Sequence, residues 1–150
     1  MHMQVLRIHA QDAYPLREKL FTPKGGQSQV DLSKFNKDMD DKTFHLGAFI
    51  DQVLVSVASF YFSKHPDISS PYQYQIRGLA TFPDYRNKGV ASTLVKTAYP
   101  IITQNQASLL WCSSRIDSVS FFINLGFRPI GGPFEIIEVG QQQLMYKSLQ

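Results

Sequence analysis

Apolar and polar positions along the 150 residues change period several times, and each change marks an element. Gln4–Ile8 is a short apolar run that reads as a strand. From Asp12 to Leu20, Leu16 and Leu20 recur at helical spacing, with Asp12 as the expected N-cap. Thr22–Gln29 (TPKGGQSQ) has loop chemistry, and the segment after it, to Lys42, holds the acidic cluster Asp38, Asp40 and Asp41, which reads as a solvated connection or short helix. Phe44–Ile50 and Val53–Phe62 are two strands around Asp51-Gln52, a gap short enough for an antiparallel hairpin despite an unusual turn pair. Lys64–Pro71 is a loop. Tyr72–Phe82 is a third long strand, in which Gly78 marks a bulge or a close backbone approach, and Pro83-Asp84-Tyr85 ends its pairing.

Helical spacing returns with Val90, Leu94, Val95, Ala98 and Ile101 on one face, and Pro100 should kink that helix or end it near Tyr99. Ala107–Cys112 then reads as a buried strand, Asp117–Leu125 as a short helix, Phe127–Ile130 as a strand and Phe134–Lys147 as further strand. This order predicts a single α/β domain of the α+β type over residues 1–150. Its sheet is mixed and mostly antiparallel, of about seven strands, with helices on both faces.

Composition narrows the class. Hydrophobic residues make up 43 % and charged residues 18 %, which excludes a disordered chain. No apolar run is long enough to span a bilayer and the N-terminus lacks a secretion signal, so neither a membrane nor a secretory route is expected. The one cysteine, Cys112, excludes an internal disulfide framework and fits a reducing, cytoplasmic setting. The net charge of +3 is too small to argue for nucleic acid. Its distribution is more informative: Arg77, Arg86, Lys88 and Lys96 stand against the single acid Asp84 between positions 77 and 96. That pattern suits an anionic ligand of limited size.

The chemistry concentrates where the third strand runs through Arg86-Asn87-Lys88-Gly89-Val90-Ala91 into a helix. The first amides of a helix lack intrahelical partners and sit at the positive end of its dipole. Small residues at Gly89 and Ala91 admit a ligand close to the backbone, and Arg86 and Lys88 add positive charge. Such a turn can cradle a pyrophosphate. Neither a GxxxxGK[ST] nor a GxGxxG motif occurs.

The arginine, two residues, glycine, one residue, small-residue pattern at Arg86–Ala91 resembles the acetyl-CoA signature of the GCN5-related N-acetyltransferase (GNAT) superfamily. Phe121-Phe122-Ile123-Asn124-Leu125-Gly126-Phe127 is similar to that family's aromatic pair followed by Leu-Gly-Phe, and the element order from Phe44 to Ile130 follows its core. The resemblance implies a V-shaped opening between the fourth and fifth strands that receives acetyl-CoA. Its pantetheine would pair with Leu79, Ala80 and Thr81, and its pyrophosphate would lie on Arg86, Asn87, Lys88, Gly89, Val90, Ala91 and Ser92, with Phe122 nearby. It also implies direct attack of a primary amine, from a small molecule or a peptide, on the thioester, with a backbone N–H at Leu79 or Ala80 opposing the developing negative charge.

The sequence departs from the family at Phe122, where a proton-donating tyrosine is common, and at Asn87, Arg115 and Ser118. Tyr72, Tyr74 or Tyr146 are candidate replacement acids. His45, Glu135 and Glu138 are candidate bases, each with an ordinary structural or solvated role as the competing reading. Cys112 and Trp111 read as packing residues, and the histidines show no metal-ligand spacing, so no metal is expected. The exposed, strand-rich tail leaves room for a homodimer. An acyl-CoA-binding module with little turnover is the alternative function, supported by Phe122 and the lack of an obvious base.

Overall fold

A computed structural model describes residues 2–21, 34–137 and 139–150. The predicted Thr22–Gln29 loop and Glu138 lie outside them. Its seven described strands form one sheet in the order β1-β2-β3-β4-β5-β7-β6: β1 Met3–Ile8, β2 Phe44–Ile50, β3 Val53–Phe62, β4 Gln73–Thr81, β5 Leu109–Arg115, β6 Arg128–Ile136 and β7 Gly140–Ser148. All neighbours are antiparallel except β4 and β5. The helices are α1 Ala10–Phe21, α2 Val90–Gln104 and α3 Val119–Asn124. No described helix is long and apolar enough to cross a membrane.

The two faces of the sheet are built differently. On one face, Leu94, Val95, Ala98 and Ile102 of α2 and Phe122 of α3 pack on Phe44, Leu46, Phe60, Ile76 and Cys112, forming the main core. On the other, α1 lays Ala13 and Leu16 against Val57 and Ala80, while Ile68, Leu109, Trp111 and Leu144 form a small cluster beneath the β3–β4 connection. The Trp111 indole N–H donates to the Ser63 carbonyl at 2.8 Å, in keeping with a packing role.

Several local expectations change. Asp12 does not begin α1 but lies one turn inside it, where its carboxylate accepts from the backbone N–H of His9 at 3.0 Å, as the reciprocal member of a capping box does. Pro100 does not end α2, which continues to Gln104; the Lys96 carbonyl that loses its partner belongs to an exposed residue and can turn to water. The buried stripe is completed by Ile102, four residues after Ala98, rather than by Ile101. The Asp117–Leu125 helix divides into a 3-10 turn over Ile116–Ser118 and α3. The tail is a hairpin of β6 and β7 rather than strands at 127–130 and 134–147, because β6 continues through an irregularity between Ile130 and Phe134. The β2–β3 hairpin forms as expected. Its turn holds both Asp51 (φ 48°) and Gln52 (φ 72°) in the left-handed region, the geometry that matches strand twist.

Candidate active site

The parallel pairing of β4 and β5 is brief. Gln73, Tyr74 and Gln75 pair with Leu109, Leu110 and Trp111, after which the strands separate. From Ile76 to Thr81 one edge of β4 is therefore open, and the V-shaped gap expected between the fourth and fifth strands is present. It is a cleft of about 840 Å³.

A bulge shapes its inner arm. Arg77 pairs with Ser59 and Ala80 with Val57, so Gly78 and Leu79 together face the single residue Ala58. Gly78 has φ +66°, as the first residue of a glycine bulge requires. A Cβ there would come within 3.0 Å of Arg17 Nε and of the Phe35 ring. Both readings of Gly78, bulge and close approach, are thus met at one residue.

The outer wall is the turn into α2. Gly89 caps the helix at φ 78°, and its carbonyl accepts from Thr93 N–H at 3.1 Å and Thr93 Oγ1 at 2.8 Å. No side chain among the described residues caps the N-terminal amides. A Cβ on Gly89 would meet no atom of the described residues within 4 Å, so among them space lies open in front of the turn. Asn87 also has positive φ, 60°, which turns the chain tightly before the helix. Arg86 donates from Nε to the Thr81 carbonyl at 3.0 Å, tying the turn to the end of β4.

Leu79, Ala80, Thr81, Arg86, Asn87, Gly89, Val90, Ala91, Ser92 and Phe122 all border this cleft. Lys88 does not; its ammonium lies 5.8 Å from the centre of the Tyr85 ring. Phe122 packs edge-on against Phe121 and Phe127, each at 5.1 Å between ring centres. Burial pushes the Cys112 thiol up to about 12, so it stays protonated and is no nucleophile.

His45 and Glu135 lie elsewhere. Glu135 is exposed on β6 opposite Gln141. His45 belongs to a buried polar network under α1. Arg17 of α1 is fully buried and makes two bonds to the Asp38 carboxylate, at 2.8 and 3.2 Å, and one each to Ser59 Oγ and Tyr61 Oη. Asp38 also accepts from Tyr61 Oη and from the Phe35 N–H. His45 Nε2 faces the Asp38 carbonyl at 2.9 Å, so Nε2 must carry the proton, and the neutral Nδ1 accepts from Ser59 Oγ at 2.6 Å.

Burial alone would raise the Asp38 carboxyl, but hydrogen bonds from Arg17, Tyr61 and Phe35 and the Arg17 charge hold it below its ordinary value. Burial pushes His45 down, against the pull of Asp38. Asp38 is therefore a structural anchor rather than part of a solvated connection. Sequence reasoning missed the network, although Arg17 lies on the apolar stripe of α1, four residues after Ala13.

None of the candidate replacement acids borders the cleft. Tyr74 Oη is engaged with the Lys42 carbonyl at 2.7 Å and Asn105 Nδ2 at 2.9 Å, Tyr72 stacks on Phe62, and Tyr146 packs beside the Trp111 cluster.

The sequence profile of the acetyltransferase (GNAT) family matches residues 10–127. The chain belongs to the GNAT family. An uncharacterized N-acetyltransferase, YitI of Bacillus subtilis (strain 168), is 31 % identical over 148 residues, which cover 99 % of this chain and 97 % of YitI. Among solved structures, the "putative N-acetyltransferase from Lactobacillus plantarum" superposes with TM-score 0.79 at 19 % identity, over all of both chains. An aminoglycoside 6'-N-acetyltransferase complexed with coenzyme A superposes with TM-score 0.73 at 10 % identity, over 98 % of this chain and 97 % of that one. The GNAT fold is thus shared across the whole chain, and this member is an N-acetyltransferase.

Proposed function

We propose that this GNAT protein transfers an acetyl group from acetyl-CoA to a primary amine, with both substrates held together in the cleft. The observation that carries the reading is the continuity of two unsatisfied backbone surfaces: the open edge of β4 leads directly to the uncapped N-terminus of α2.

These residues fit the cofactor. The amides from Asn87 to Ser92, with Arg86, offer positive potential to a pyrophosphate. Open space before Gly89 leaves room for that group. Leu79 to Thr81 can pair with an extended amide-bearing arm as an added strand would. When bound, acetyl-CoA supplies an activated thioester carbonyl. An N–H at Leu79 or Ala80, held by the bulge, can oppose negative charge on that carbonyl oxygen without reorganisation.

The protein contributes mainly position. Cys112 stays a thiol, which argues for direct attack by the amine rather than an acylated enzyme. An amine of pKa near 10 must lose its proton first. The described residues bordering the cleft include no histidine and one carboxylate, Asp117, so water or Asp117 accepts that proton. The lone buried cysteine suits a reducing cytoplasm.

Thermal unfolding with saturating acetyl-CoA, beside ATP, tests the reading. At 100 times its dissociation constant a ligand adds about 2.7 kcal/mol, or roughly 5–10 °C for a domain of this size. A shift with acetyl-CoA and none with ATP is expected; no shift with either would remove the cofactor assignment. Phe122 favours a second reading, binding with little turnover, and CoA release across an amine panel separates the two.

A further inference from the structure

The other half of the cleft has its own charge pattern. Arg77 lies two residues beyond Gln75, the last β4 position paired with β5. Its register partner is Ser59, which binds Arg17, so Arg77 stands on the α1 face of the sheet. Arg115 ends β5, four residues beyond Trp111, and alternation puts the two on one face. Because Gln75 and Trp111 are in register, that face is the one carrying Arg77. Two arginines thus occupy the same face of the two arms of the V, opposite the face on which α2 packs, and both border the cleft.

Neither forms an ion pair: among the described residues the one ion pair is Arg17–Asp38, and the Asp38 charge that also reaches Arg77 is bonded to Arg17. The Arg77 guanidinium lies 4.0 Å from the centre of the Phe35 ring, a contact that restrains the side chain without neutralising it. A bare ammonium would be repelled here. An amine carrying its own carboxylate would be held, and the same cations would ease loss of its ammonium proton, since nearby positive charge favours the neutral amine. That second effect matters in a cleft whose one described carboxylate is the exposed Asp117.

We propose that Arg77 and Arg115 anchor a carboxylate of the acceptor, so that the acceptor is a small, amino-acid-like amine. This rests on the acetyltransferase reading above. Guanidinium pairs a carboxylate through a planar fork, which also fixes where the amine points.

The test compares amino acids of varied side chain with their α-amides and decarboxylated amines. One readout is kcat/KM from CoA release; the other is calorimetric binding of the acceptor to enzyme saturated with CoA. The carboxylate-bearing acceptor should be preferred about ten- to hundred-fold. The preference should collapse toward one in Arg77→Gln and Arg115→Gln and survive in part in Arg77→Lys. Equal use of amides or decarboxylated amines overturns the proposal, as does a panel in which no carboxylate-bearing amine binds or reacts. So does an Arg77→Gln variant that loses acetyl-CoA affinity while the preference stands, because the arginine then serves the cofactor. Failure of acetyl-CoA to shift thermal unfolding, by contrast, sinks the transferase reading itself.

Discussion

The two sides of β4 solve opposite problems with the same kinds of group. Behind the bulge, Arg17, Asp38, Ser59, Tyr61 and His45 bond to one another within a buried layer under α1. At the strand's open edge, the amides at the start of α2 and along β4 meet no partner among the described residues, and Arg77 and Arg115, though on the same α1 face as the network, form no ion pair there. A buried polar group without a partner is costly, so the rear groups bond to one another. The open edge can stay unpaired because water fills the cleft until a ligand replaces it. Mutual bonding therefore marks the structural region, and open donors the binding region.

Removing one partner should break this contrast most visibly. Asp38→Ala leaves the Arg17 charge buried, which typically costs about 3–5 kcal/mol, whereas Arg17→Met with Asp38→Leu removes both charges and should cost much less. Urea denaturation of the three proteins checks this. A single variant as stable as the parent would mean that the network is not what holds α1 on the sheet.

The open edge should answer in affinity rather than stability. Gly89→Glu places a bulky negative charge in the open space before the amides, and acetyl-CoA affinity should fall by about a hundredfold or more, close to 2.7 kcal/mol. Gly89→Asn tolerates the left-handed φ and adds no charge, so it should bind nearly as the parent does. Equal losses in both variants would mean that backbone strain, not the cradle's field, is being measured.

What could be read in the sequence follows the same division. Arg86, Gly89 and Ala91 are neighbours in the chain, so the cradle is a local pattern and appears as a motif. The bulge is legible through one residue, Gly78, because φ +66° favours glycine and a Cβ there would crowd Arg17 and Phe35. The rear network joins residues up to 44 positions apart, such as Arg17 and Tyr61, and its acid sits among exposed ones. Asp38 is 5 % exposed, yet in sequence it is indistinguishable from Asp40 and Asp41, which stay on the surface. Partner choice across the sheet, not composition, separates them. The start of α1 and the run of α2 past Pro100 are less legible for a smaller reason: an acid can cap from one turn inside, and a proline is tolerated where the freed carbonyl reaches water.

A milder effect comes from pH. His45 is held below its ordinary value of 6.5 in the folded protein, so below about pH 6.5 the unfolded chain takes up a proton that the native imidazole refuses. Stability should decline as pH falls through that point, by at most about 1.4 kcal/mol per pH unit. Asp38, held below 3.8, adds a second loss as pH drops past about 4, where the unfolded carboxylate protonates first. His45→Gln should flatten the upper limb and Asp38→Asn the lower one, while acetyl-CoA affinity near pH 7.5 changes little in His45→Gln. A loss of affinity in that variant would tie the rear network to the cradle more closely than the geometry does.

The smallest change bears on the chemistry itself. Phe122 borders the cleft at 5 % exposure, wedged between Phe121 and Phe127. Phe122→Tyr adds one hydroxyl to a ring already in place, so neither the fold nor the cradle should respond. If protonation of the departing sulfur limits turnover, kcat should rise, by up to about tenfold, below the low end of the range for a general acid because water now does the work. The gain should vanish above about pH 10, where the phenol ionises, and KM for acetyl-CoA should stay put. No change in kcat would place the slow step elsewhere, in removal of the acceptor's proton or in product release, and would move attention across the V to the side held by Arg77 and Arg115.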